Sequence, residues 1–170
     1  MSLLARVFLP ALLLVLPILS LAPPAAGQAY DTPMMAAAAG RLEADIRGRH
    51  LKPGERPNPV LAGQALTVAM GLVRERKFAE AVPLLERTIA HGGGNFDVWL
   101  AYSNALGAQR AAQHRRALEA AHAAWRKAAS AKQSALALYY IGYWHEIMRE
   151  PEPSIAAYED SLKLDTNQTV

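Results

Sequence analysis

Lys77-Phe78-Ala79-Glu80-Ala81-Val82-Pro83-Leu84-Leu85-Glu86-Arg87-Thr88-Ile89 has a counterpart near the other end of the chain, Pro151-Glu152-Pro153-Ser154-Ile155-Ala156-Ala157-Tyr158-Glu159-Asp160-Ser161-Leu162. Each stretch follows an apolar helical block and a short polar turn. Superposing Ala62–Asn95 on the segment from Ala135 sets Ala65 over Leu138, Ala69 over Gly142 and Ala81 over Ser154. A third copy starts at Phe96 and sets Trp99 over Ala65 and Ser103 over Ala69. It needs a small insertion near Gln109–His114 before Ala117-Leu118. Small residues recur where paired helices approach closely, at Ala69, Ser103 and Gly142 on first helices and Ala81, Ala117 and Ser154 on second ones. Large residues stand beside them: Phe78, Leu85, Trp99, Trp125, Ile141, Tyr158 and Leu162. Small against large at a fixed period is the pattern of stacked helical hairpins, each unit burying its apolar face on the next.

Outward from this repeat, the apolar spacing predicts helices over Val60–Arg76, Phe78–Ala90, Asp97–Gly107, Arg115–Ser130, Ser134–Met148 and Ser154–Leu164. No stretch alternates with a period of two for long, so the fold class is all-α, with about three stacked antiparallel hairpins. Pro83 should bend its helix or mark a late start. His91-Gly92-Gly93-Gly94 reads as a helix stop. Upstream, Asp31-Thr32-Pro33 is a capping signal with proline in the first turn, opening a helix to about Arg47. Pro53, Gly54, Pro57 and Pro59 then break the chain. The expected organisation is a signal peptide over 1–29, an N-terminal helix over 30–50, a linker over 51–59 and the repeat domain over 60–170.

The first 29 residues read as an export signal. One positive charge, Arg6, precedes a Leu-rich apolar run over Val7–Leu21, and the small residues Ala22, Ala25, Ala26, Gly27 and Ala29 follow. Pro10, Pro17, Pro23 and Pro24 interrupt the run, which disfavours a retained anchor. Cleavage is expected within 26–29, which places the mature chain in a bacterial periplasm or outside the cell. The 170 residues are 52% hydrophobic but only 7% aromatic, and about a fifth are alanine, so apolar content overstates core volume. The absence of cysteine excludes disulfides, thiolate zinc sites and thiol catalysis. A formal charge of +3, mixed in sign along the chain, gives no footprint for nucleic acid.

The stretches Lys77–Ile89, Tyr140-Ile141-Gly142 and Ser154–Asp165, together with Trp99, resemble the tetratricopeptide repeat family over about Ala62–Asn167. The resemblance implies a right-handed superhelix whose concave face is built by the first helix of each pair, with protein or peptide partners there. A second set of features covers the whole chain after the signal. The Ala-rich helix, the Pro/Gly linker, Asp97-Val98-Trp99-Leu100-Ala101 and Arg116–Trp125 are similar to the front helical region of exported bacterial macroglobulin-like proteins. That resemblance implies a detached or truncated structural module.

No catalytic set emerges. His145-Glu146-Ile147-Met148-Arg149 starts like a zincin helix, but Arg149 stands where the second histidine is required. His91-Gly92-Gly93-Gly94 echoes an esterase oxyanion loop without a nucleophile elbow. His114 and His122, two turns apart, read as surface histidines, and the basic stretch Gln109–Arg116 with Arg126 and Lys127 reads as a solvated face. The chain is expected to be no enzyme and to need no cofactor or metal. The informative cluster is Tyr139, Tyr140, Tyr143 and Trp144. Under the repeat resemblance Tyr139 and Tyr143 lie one turn apart on the concave side, with Arg74, Asn104 and Glu146, and these five are the candidate partner-binding residues. The alternative is that the rings pack on a neighbouring helix. The last paired helix ends near Leu164, so its outer edge is expected to be uncovered, available to a partner, to self-association or to a continuation of the array.

Overall fold

The computed structural model describes residues 30–166, which form seven α-helices and no strand. The export-signal reading falls on residues 1–29, outside the described residues. Among the described residues no helix is long and apolar enough to cross a membrane. The helices are α1 (Pro33–His50), α2 (Pro59–Arg74), α3 (Phe78–Thr88), α4 (Phe96–Gly107), α5 (His114–Arg126), α6 (Ala131–Ile147) and α7 (Pro151–Thr166). Local chemistry sets their starts. Thr32 accepts from Met35 N–H before Pro33, and Asn58 accepts from Val60 and Leu61 N–H before Pro59. Asn95 and Ser130 cap α4 and α6 through Val98 and Gln133 N–H. Each cap satisfies donors that a helix leaves open at its first turn. α3 begins at Phe78 and runs through Pro83. It continues as a π-turn over Ile89–Gly93, where Gly92 takes φ +92° and ends the element. α7 starts three residues earlier than the sequence suggested, because Pro151 suits the first helical position.

The helices pair as α2/α3, α4/α5 and α6/α7, and the repeat register holds at the level of single hydrogen bonds. After α2, Arg76 N–H donates to Val73 O at 3.0 Å and Lys77 N–H to Leu72 O at 2.9 Å. After α6, Arg149 N–H donates to Glu146 O and Glu150 N–H to His145 O, both at 2.9 Å. These are two copies of one Schellman turn, with Arg76 and Arg149 left-handed at φ 58° and 60°. Thr88 Oγ1 donates to Leu84 O at 2.9 Å and lies 3.4 Å from Ala62 O, where its counterpart Ser161 Oγ donates to Ala135 O at 2.7 Å. The middle hairpin departs where the insertion was expected, with a 3₁₀ turn over Ala111–Gln113. Its helices still meet at small residues: Ser103 Oγ donates to Ala117 O at 2.7 Å, as Ser154 Oγ donates to Gly142 O at 3.0 Å.

α1 lies along α3 and α5, the second helices of the first two hairpins. Met35, Ala39, Leu42 and Ile46 join the same core as Leu85, Trp99 and Leu118. Polar bonds fix both of its ends. Before α1, the Tyr30 hydroxyl donates to Asp160 on α7 at 2.8 Å, and its ring sits edge-on to Trp125. At the other end, Arg49 and His50 reach Glu86 on α3 at 2.8 and 3.1 Å. Glu86 also accepts from Tyr102 at 2.6 Å and Arg116 at 3.2 Å. Burial alone would raise this carboxyl. The hydrogen bonds of Tyr102 and His50 and the charge of Arg49 outweigh burial and hold it below its ordinary range.

Two surface readings are corrected here. His122 is 2% exposed and faces Tyr30 and Trp125, because the alanines around it on α5 let α1 and its preceding turn approach. The basic residues of α5 also bridge elements: Arg116 reaches Glu86, Arg115 pairs with Glu150 at 2.6 Å, and Arg126 donates to Ala36 O at 2.9 Å.

Candidate functional site

Trp144 organises the surface on which the tyrosines stand. It is buried, and its indole N–H donates to Ser103 Oγ at 2.8 Å. Its ring covers Gly107, where a Cβ would fall 1.9 Å from the indole. His114 stacks on it at 5.8 Å between centroids. The indole therefore welds α6 to α4 and forms the floor of a cavity of about 540 Å³. Tyr139, Tyr140 and Tyr143 make one wall, Asn104 and Ala108 the other, and Arg76 with Phe78 closes one end. Tyr139 is 49% exposed and Tyr143 36%, whereas Ile141 and Trp144 on the same helix are buried. Both halves of the sequence alternative thus occur in one run. The Trp144 ring packs inward beside the core residue Ile141, and the rings at 139 and 143 face solvent.

Each exposed ring rests edge-on against a less exposed neighbour, Tyr139 on Tyr140 at 5.6 Å and Tyr143 on Trp144 at 4.7 Å. Their hydroxyls have no hydrogen-bond partner among the described residues. A tyrosine in this state offers an apolar face and an unused polar tip. Beyond Phe78 the groove runs on into a second cavity of about 550 Å³, which shares Arg76, Phe78 and Ala108 and adds Arg110, Gln109 and Lys77. Arg76 stands over the Phe78 ring at 5.8 Å. Lys77 is paired with Glu75, while Arg76 and Arg110 form no ion pair among the described residues. Glu80 is the one acid lining this basic end.

The structure brings Asn104, Tyr139 and Tyr143 together and separates the other two candidates. Glu146 accepts from the Tyr158 hydroxyl at 2.8 Å and belongs to the groove between α6 and α7. Arg74 stands exposed at the end of α2, outside both cavities. Arg76 was not singled out in the sequence, and Phe78 and Tyr140, which were, were not among the five candidates. The doubled Schellman turn could have flagged Arg76, since Arg149 holds the equivalent place. No group of three or more metal-ligating side chains occurs among the described residues. His145, the first residue of the zincin-like stretch, is buried with Nδ1 at 2.6 Å from Glu150. His91, beside the glycines, accepts from Asn58 N–H and fixes the linker's end.

Compared with known proteins, no protein-family model matches the chain, and no curated protein matches it. A solved structure titled MamA MSR-1 C2, a tetratricopeptide-repeat-containing protein, is similar in fold. Its TM-score is 0.56 at 20% sequence identity, over 81% of this chain and 71% of that one. The chain therefore has an all-α, tetratricopeptide-repeat-like fold. The resemblance to macroglobulin-like proteins finds no support in these comparisons.

Proposed function

We propose that this protein is an exported, non-catalytic scaffold that binds a protein or peptide in the groove between α4 and α6. The observation that carries the reading is a continuous trough with solvent-facing Tyr139 and Tyr143, unused hydroxyls, and unpaired Arg76 and Arg110 at its far end. An extended segment suits such a trough. Its apolar side chains would lie on the tyrosine wall, Asn104 would bond its backbone, and an acidic group would sit at the arginines. Aromatic residues and arginine are the types that dominate binding energy at interfaces. Arg74 and Glu146 flank the trough and would contact only a larger partner. The leader over 1–29 supports export, which would put the partner in the periplasm or outside the cell.

The test is capture from periplasmic extract with full-length chain recovered from an exporting host, read by mass spectrometry. Tyr139→Ala with Tyr143→Ala should lose a discrete captured protein while the helical circular-dichroism spectrum is unchanged. Equal capture by the wild type and the double variant would sink the groove assignment.

A further inference from the structure

We propose that a second copy of this chain docks head to tail, the α2/α3 edge of one molecule entering the α6/α7 edge of the next. The molecule supplies its own template. Val68, Tyr102 and Ile141 hold one repeat position on α2, α4 and α6. Tyr102 and Ile141 are fully buried because the preceding hairpin covers them, whereas Val68 is 55% exposed. Val82, Leu118 and Ile155 share a position on α3, α5 and α7. Leu118 is fully buried and Val82 half-buried under the hairpin that follows, whereas Ile155 is 58% exposed. Each end of the stack thus shows the face that its own interior interfaces bury, and the two faces are complementary halves of the same joint.

The local shapes agree. α2 is apolar along most of its length yet buries only Ala62, Ala65 and Ala69, and Leu61, Val68 and Leu84 line a shallow cleft on its outer side. At the opposite edge, Ser154, Ile155 and Tyr158 line a cavity of about 490 Å³ between α6 and α7. That is the place that α4 fills against α2 and α3 one hairpin earlier. Charge favours the joint at the level of whole helices: α2 holds one arginine and no acid, and α7 holds four acids against one lysine. Glu80 of the incoming copy is the acid that the register brings toward Glu159. The contact is heterologous, so one joint leaves both outer edges open and growth continues past the dimer. This inference does not depend on the tyrosine groove, which lies between α4 and α6.

The test is sedimentation velocity on the full-length chain, with Val68→Glu and Ile155→Glu as edge variants. Both positions are more than half exposed, and Val68→Ser with Ile155→Ser serves if either glutamate lowers the helical signal. Wild type should show species beyond the dimer as concentration rises. Each variant alone should stay monomeric, with apparent association at least tenfold weaker. An equimolar mixture should give a 1:1 heterodimer and stop there, since each partner keeps one intact edge of opposite kind. A monomeric wild type at about 200 µM would overturn the proposal. So would dimers of Val68→Glu alone, which would mean pairing of like edges, and so would a mixture that remains monomeric.

Discussion

Replacing Glu86 by glutamine tests the idea that one buried carboxylate holds α1 on the hairpins. Glu86 is 4% exposed and accepts from Arg49, His50, Tyr102 and Arg116 at 2.6–3.2 Å. The amide keeps the size of the side chain, removes the charge and turns one acceptor into a donor. Breaking a buried pair from one side costs about 3–5 kcal/mol when the remaining charge stays buried. Here Arg49 and Arg116 have side chains 41% and 34% exposed and can turn to water. The expected loss is therefore about 2–3 kcal/mol. For a chain of this size that lowers Tm by roughly 8 °C. The loss should also depend on pH. The folded carboxyl lies below its ordinary value of 4.5, so the unfolded state binds the proton first as pH falls. Its stabilisation is complete above that value and disappears as pH drops through the folded value. Urea unfolding followed by circular dichroism at pH 7 and pH 3 reads both effects. A loss under about 0.5 kcal/mol at pH 7, or a gap between the two proteins as wide at pH 3, would refute the reasoning.

His122 gives a second acid response in a different window. Burial and the nearby His145 push its imidazole down to about 3, so the unfolded state takes up a proton that the folded state refuses between about 6.5 and 3. His122→Leu should remove roughly 2–3 kcal/mol of the stability lost between pH 7 and pH 4.5, read by chemical unfolding at the two pH values. Gly107→Ala should destabilise by about 3 kcal/mol, because its methyl would strike the Trp144 ring, and the tryptophan fluorescence maximum should move to the red. Arg76→Gly and Arg149→Gly should each raise stability by about 0.5 kcal/mol, the relief of a left-handed non-glycine residue less the added chain entropy. A thermal melt that falls for either glycine variant would contradict the turn geometry.

The start of α1 was legible, because Thr32 caps it just before Pro33 through an atom three residues from the bond it makes. Asn58-Pro59 and Ser130 start α2 and α6 by the same chemistry, although the sequence reading left Pro59 in the linker and Ser130 at the end of the preceding helix. The spacing of Ala69, Ser103 and Gly142 revealed the stacking, because only small residues permit the observed approach. Of the five candidate residues, Tyr139, Tyr143 and Asn104 line one groove, as their repeat positions suggested. What escaped rests on contacts between distant segments. Glu86 looks in sequence like any exposed helix acid, since its partners come from three other helices. His122 sits on an alanine-rich helix and is buried only because α1 returns across it. Glu146 shares a repeat face with the tyrosines but is drawn away by Tyr158, a bond no periodicity encodes.

A repeat array without crosslinks tends to lose its units one after another from the ends, because each unit touches only its neighbours. α1 changes that arithmetic. Its leading turn holds α7 through Tyr30 and Asp160, while its trailing end holds α3 through Arg49 and Glu86. First and last hairpins are therefore tied to one rod of 18 residues, about 27 Å long. Fraying of the last hairpin breaks the Tyr30–Asp160 bond, and fraying of the first breaks the bonds to Glu86. Amide exchange should then report nearly equal opening energies for α2, α4 and α6. The curvature of the array would be set at folding and held, a rigid strut where the bare repeats would have made a spring.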